Sequence, residues 1–257
     1  MFTFFRDRRR RKLLAEPFPP YWEAVLKRNV RHYERLSPDE RAKLRDIARV
    51  IVDEKEWEGC GGIIVVTDEM KVTIAAQAAL MLIGIKHDYF ARVPSIVVYP
   101  NSFRTPVQDD GWEDDFLSDT VAEGQAVYRG PVIVGWEHVL AEGRDPTGGM
   151  NVVLHEFAHQ LDYLDDTING TPPFDDPALE ARWVSVMQAA FEVHKQDLAR
   201  GVETFFTEHA GDNETEFFAD ATEAFYCRPA DLIAENAAIY ELFKAYFRVD
   251  PLVWFPE

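Results

Sequence analysis

Residues 151–162, NVVLHEFAHQLD, leave little choice of conformation: apolar side chains fill most positions, Asn151 stands where an N-cap belongs, and the period is helical. Two histidines four apart then lie one above the other on one helix face, so His155 and His159 can present both imidazoles to a single ion. Zinc accepts histidine nitrogen at about 2.0 to 2.1 Å, which suits that geometry. Glu156 is one step round the helix, where its carboxylate reaches the open zinc position and can act as general base.

A catalytic zinc needs three protein ligands and an open fourth position, so two histidines leave one ligand to find. Asp165, six residues after His159, is one candidate, though the glycine that usually turns the chain after such a helix is here Asp162. The other candidate lies on the helix predicted for ETEFFADATEAF, where Glu216, Asp220 and Glu223 share one face beside Phe217, Phe218 and Phe225. Carboxylates on so apolar a helix call for a cation or for donors. Glu216 is favoured as ligand, and Asp220 as the acceptor that orients a zinc histidine through its outer N–H.

The rest of the chain reads as α+β, mainly helical with a small sheet. Helices are expected over 20–36 and 38–56, the second opened by the capping signal SPDE. GIIVVT (62–67), RVPSIVVYP (92–100) and GPVIVGW (130–136) read as strands, and DEMKVTIAAQAALMLIGI as a buried helix. The acidic stretch 107–119 has no period. Later helices are expected over PALEARWVSVMQAAFEVHKQ, ETEFFADATEAFY and AAIYELFKAYFRV.

With 257 residues, 47% of them hydrophobic, the chain supports one folded unit over 16–257, two-lobed around the zinc cleft, behind a flexible basic tail at 1–15. A net charge of −18 argues against direct nucleic-acid binding. No apolar run spans a bilayer and no export signal is read, and two cysteines, Cys60 and Cys227, give no disulfide framework; a cytoplasmic location is expected.

EGCGG followed by TDEMKVTIAAQAALML, then GPVIVGW, GRDPTGGMNVVLHEFAHQLD, ETEFFADATEAF and YELFKAYFRVDP occur in order from about residue 57 to the C-terminal end. Together they resemble the Mlc titration factor A family of bacterial zinc peptidases, which is similar around its metal site to the catalytic domain of anthrax lethal factor. The resemblance implies a zincin-like fold of gluzincin type, with His155, His159 and Glu216 as zinc ligands and Glu156 as catalytic base. It also implies aminopeptidase-like action on a peptide substrate and a partner of the Mlc repressor type. The family's oxyanion-binding tyrosine, seven residues before the third ligand, is here His209, whose N–H can do the same work. The competing expectation is a non-catalytic regulator that sequesters such a repressor. In the peptidase reading, the substrate lies extended along residues 130–136.

Overall fold

Ser37 opens a helix as SPDE leads one to expect: its hydroxyl accepts from the Glu40 N–H, and the Glu40 carboxylate accepts from the Ser37 N–H at 2.8 Å. The computed structural model describes residues 2–104 and 121–255, so the acidic stretch 107–119 lies outside the described residues. In chain order, α1 (Phe2–Ala15), α2 (Pro20–Asn29), α3 (Arg31–Arg35) and α4 (Pro38–Glu54) lead to β1 (Glu56–Gly59) and α5 (Asp68–Leu80). Then follow β2 (Ser95–Tyr99), β3 (Phe103–Arg104), β4 (Val121–Ala122), β5 (Gly124–Ala126), β6 (Val132–Gly135) and α6 (Trp136–Arg144). The C-terminal part holds α7 (Val152–Asp162), α8 (Pro177–Ala199), α9 (Glu214–Cys227) and α10 (Pro229–Phe247). The architecture is thus α+β, mostly helical, with one small sheet and a two-stranded β3–β4 ribbon.

The sheet has the order β1-β2-β6-β5, with β1, β2 and β6 parallel and β5 antiparallel to β6. Two expectations change here. GIIVVT is not a strand: β2 pairs instead with Glu56–Gly59, after which Gly61 (φ 61°) and Gly62 (φ 105°) turn the chain off the ladder. Ile64 and Val65 are left 94% and 70% exposed. Local β propensity lost to tertiary pairing. Second, β6 is paired on both sides, by β2 and β5, so no extended peptide can add along 132–135; among the described residues β5 ends the sheet.

The helix expected over 20–36 breaks at Val30 (φ −126°). Just before the break, the buried Asn29 amide donates to Glu69 (2.9 Å) and Thr73 (3.1 Å) and its oxygen accepts from Arg144, which ties α2 to α5 and α6. Where a flexible tail is expected, residues 2–15 form α1 against α4. The Arg10 guanidinium makes a two-pronged contact with Glu54 (2.7 Å each), reaches Asp88 (2.6 Å) and lies 4.3 Å over the Tyr89 ring. An arginine fork that meets two carboxylates holds the helix down.

α5 is buried continuously from Val72 to Leu80, which explains why its composition shows no polar face. It touches α2, α4, α6 and α7. α7 in turn lies between the β5–β6 edge of the sheet and α9. Behind α9, the aromatic rings of Trp183, Phe218, Phe225, Phe243 and Phe247 pack with centroids 4.7 to 5.9 Å apart. Cys60 and Cys227 are free, and no helix among the described residues is long and apolar enough to cross a membrane.

Candidate metal centre

α7 is fixed at its start from three directions. The Asn151 carboxamide oxygen accepts from the Leu154 N–H at 3.0 Å, its amide donates to Gln77 on α5 at 2.7 Å, and its own N–H donates to Glu223 on α9. The Val152 N–H donates to Glu142 on α6 at 2.6 Å. With Val153, Leu154, Phe157, Ala158 and Leu161 buried, the face that carries His155 and His159 has one orientation, and the two rings stand 5.0 Å apart.

Opposite them, α9 begins at Asn213, whose side chain accepts from the N–H groups of Thr215 and Glu216 at 3.0 Å. Glu216 is therefore in the first turn, and Phe217 and Phe218, fully packed, set its direction. One carboxylate oxygen of Glu216 lies 3.0 Å from His155 Nε2, 3.4 Å from His159 Nε2 and 3.1 Å from His209 Nε2.

These separations test whether the residues suit a metal. Four ligands around a tetrahedral zinc at about 2.0 to 2.1 Å are about 3.3 Å from one another. Each of the three imidazole nitrogens lies 3.0 to 3.4 Å from the one Glu216 oxygen, the ligand-to-ligand spacing of that arrangement. His155, His209 and Glu216 bring one ligand atom each within 4.8 Å of one another. Burial opposes it, yet hydrogen bonds to Glu216 and Glu223 raise the His155 pKa well above its ordinary value. Burial likewise opposes ionisation of Glu216, but the three histidines hold it far below the usual carboxylate range. The site is thus a carboxylate ringed by imidazoles, a donor set that matches a divalent ion of zinc's preference.

The outer nitrogen of His155 meets Glu223 Oε1 at 2.8 Å. Glu223, and not Asp220, therefore orients this histidine. Asp220 accepts from the Thr207 N–H at 2.8 Å and holds the loop that carries His209. The difference is one turn of α9, and spacing alone placed both residues on the shared face. Asp165 is exposed, takes the Thr167 N–H at 2.9 Å, and stands apart from the centre. His209 sits in a 3-10 turn, His209–Gly211, with its ring nearly parallel to that of His155 (16°, centroids 6.2 Å). Among the described residues, His159 Nδ1 is buried without a partner.

Glu156 is 6% exposed, and burial pushes its pKa up to about 8, with His155 opposing and Glu216 adding to the rise. Its carboxyl group lies directly under β5: a Cβ added at Gly124 would come 2.4 Å from Glu156 Oε1. Glycine at 124 lets the end strand of the sheet approach this carboxyl group, a requirement that GQA does not announce in the sequence. A second set also escapes sequence reasoning. His138 Nδ1 lies 3.4 Å from Glu123 and 3.8 Å from Glu142, with Ser102 at 2.9 Å on its other nitrogen. Glu142, mostly buried, has its pKa pushed up to about 7 by that burial, which outweighs the lowering effect of the Val152 N–H.

A family model described as glucose-regulated metallo-peptidase M90 matches residues 4–248. An uncharacterized protein of Synechocystis sp. is 31% identical over 250 residues, which is 96% of this chain and 90% of that protein. Mlc titration factor A of Edwardsiella ictaluri is 30% identical over 227 residues, covering 84% of this chain and 83% of the relative. Mlc titration factor A of Serratia proteamaculans is 29% identical, covering 84% of each.

Proposed function

The chain belongs to the glucose-regulated metallopeptidase M90 family, and we propose that it is a zinc-dependent peptidase. His155, His159 and Glu216 hold the ion, and Glu156 is the general base. The observation that carries this is the convergence of the imidazole nitrogens and one Glu216 oxygen within 3.0 to 3.4 Å, with Glu156 buried beside them. Zinc bound there supplies Lewis-acid polarisation of water and of the scissile carbonyl.

The protein's own groups do the rest. Glu156 accepts the proton of the attacking water, a capture that its burial and raised pKa favour, and passes it to the leaving amine. Glu223 fixes the ring of His155, and His209 Nε2 faces the same point as a donor to the oxyanion. An extended peptide adds to the edge of β5 that no described strand pairs, above Glu156, and its backbone pairs with that strand. The aminopeptidase-like action, zincin-like fold, cytoplasmic location and Mlc-type repressor as partner follow the resemblance and the name of the relatives. Retention of Glu156 beside both histidines favours chemistry over sequestration alone, because a structural metal site has no use for a general base.

Glu156→Gln keeps the shape and removes the base. Turnover of chromogenic peptide substrates should fall by about 10²- to 10⁴-fold while zinc content is unchanged. A mutant as fast as the wild type would remove Glu156 from the reaction.

A further inference from the structure

We propose that Asp212 is the positioning residue for His209: its carboxylate fixes which nitrogen of the imidazole faces the metal centre. The proposal rests on the peptidase reading above and extends it to a residue outside the metal-binding set.

His209 Nδ1 lies 2.7 Å from Asp212 Oδ2, while Nε2 lies 3.1 Å from Glu216 Oε2. An ionised carboxylate only accepts, so a contact of this length places a hydrogen on Nδ1. The ring is then held by its outer nitrogen, and Nε2 is the atom aimed inward. The form that donates to an oxyanion carries hydrogen on both nitrogens, with the Asp212 carboxylate beside it as counter-charge.

Such a hold matters because the His209 side chain is 60% exposed, with the His155 ring on one side of it. Its backbone, by contrast, is well anchored. The Asp212 N–H donates to the His209 carbonyl at 3.0 Å and closes the 3-10 turn. Below it, the Thr207 N–H donates to Asp220, and the Ala210 N–H donates to the Thr207 hydroxyl at 3.3 Å. Asp220 is on α9, one turn beyond Glu216, so the turn is tied to the helix that supplies the carboxylate at the centre. With the backbone fixed, the ring's direction is set by its two nitrogens, and Asp212 holds the outer one.

The test compares wild type, Asp212→Ala, Asp212→Glu, His209→Phe and the Asp212→Ala/His209→Phe double variant, all zinc-loaded. Two quantities are read: kcat and KM on a peptide substrate, and calorimetric affinity for a phosphinic dipeptide, a tetrahedral anion that mimics the transition state. His209→Phe should lower kcat about 100-fold, the loss typical of one oxyanion donor, and Asp212→Ala about tenfold, as the ring then spends less time aligned. Phosphinic affinity should fall in parallel, while KM and zinc content stay unchanged. Asp212→Glu should recover part of both, and Asp212→Ala should cost nothing further in the His209→Phe background. Wild-type values for Asp212→Ala in both measurements, or an equal further loss without His209, would overturn the proposal. Absence of both peptide turnover and phosphinic binding in the zinc-loaded wild type would instead strike at the peptidase reading itself.

Discussion

Glu223 and Phe225 are two residues apart on α9 and live in opposite worlds. Glu223 faces α7, where each oxygen has one assigned donor: His155 Nδ1 at 2.8 Å and the Asn151 N–H. Phe225 faces α10, where its ring meets those of Tyr240, Phe243 and Phe247 at centroid distances of 5.2 to 5.8 Å. The aromatic side holds the fold through many weak, interchangeable contacts. The polar side holds a geometry through few contacts, each between named atoms. Energy for folding and precision for chemistry are thus drawn from opposite faces of one helix.

The largest expected effect breaks the comparison from the aromatic side. Phe225→Ala should cost about 3 to 5 kcal/mol of unfolding free energy, measured by denaturant titration, and leave the zinc affinity of the folded protein within about threefold. A large loss of affinity at unchanged stability would show that the two faces are not separate. Next comes Glu223→Gln, which should weaken zinc binding about 10- to 100-fold, read by competition with a chelator, with little change in denaturation midpoint. Unchanged affinity would return Glu223 to a purely structural role.

The smallest effect sharpens the comparison at its edge, through Glu142. Its folded pKa, about 7, lies above the unfolded value of 4.5 because burial disfavours the charge. The folded state therefore holds its proton longer, and stability is fully present below 4.5 and declines as pH rises towards 7. The decline should amount to about 1 to 2 kcal/mol, below the upper bound set by the full shift. Glu142→Gln keeps an acceptor for the Val152 N–H and should flatten that slope between pH 5 and 8; parallel slopes in the two proteins would contradict it.

Much of the centre was legible in the sequence because it depends on helical periodicity. HEFAH within an apolar run fixes which face His155 and His159 share, and Asn151 and Asn213 mark where α7 and α9 begin. Glu216, Asp220 and Glu223 were legible as one face, but the choice between Asp220 and Glu223 as partner of His155 depends on how α9 is rotated against α7. That rotation is set by packing of Phe217, Phe218 and Phe225, which no local pattern encodes. β5 was illegible for a plainer reason: Gly124, Gln125 and Ala126 have no strand propensity, and pairing with β6 alone makes them a strand. The approach of Gly124 to Glu156, and the meeting of Glu123, Ser102, His138 and Glu142, come from the same tertiary placement.

The most direct test is an anomalous difference map recorded at the zinc edge from crystals of the zinc-loaded protein. The account predicts one strong peak between α7 and α9, about 2.0 to 2.1 Å from Nε2 of His155 and of His159 and at bonding distance from the Glu216 carboxylate. A peak at His138, Glu123 and Glu142, with none beside Glu216, would contradict it.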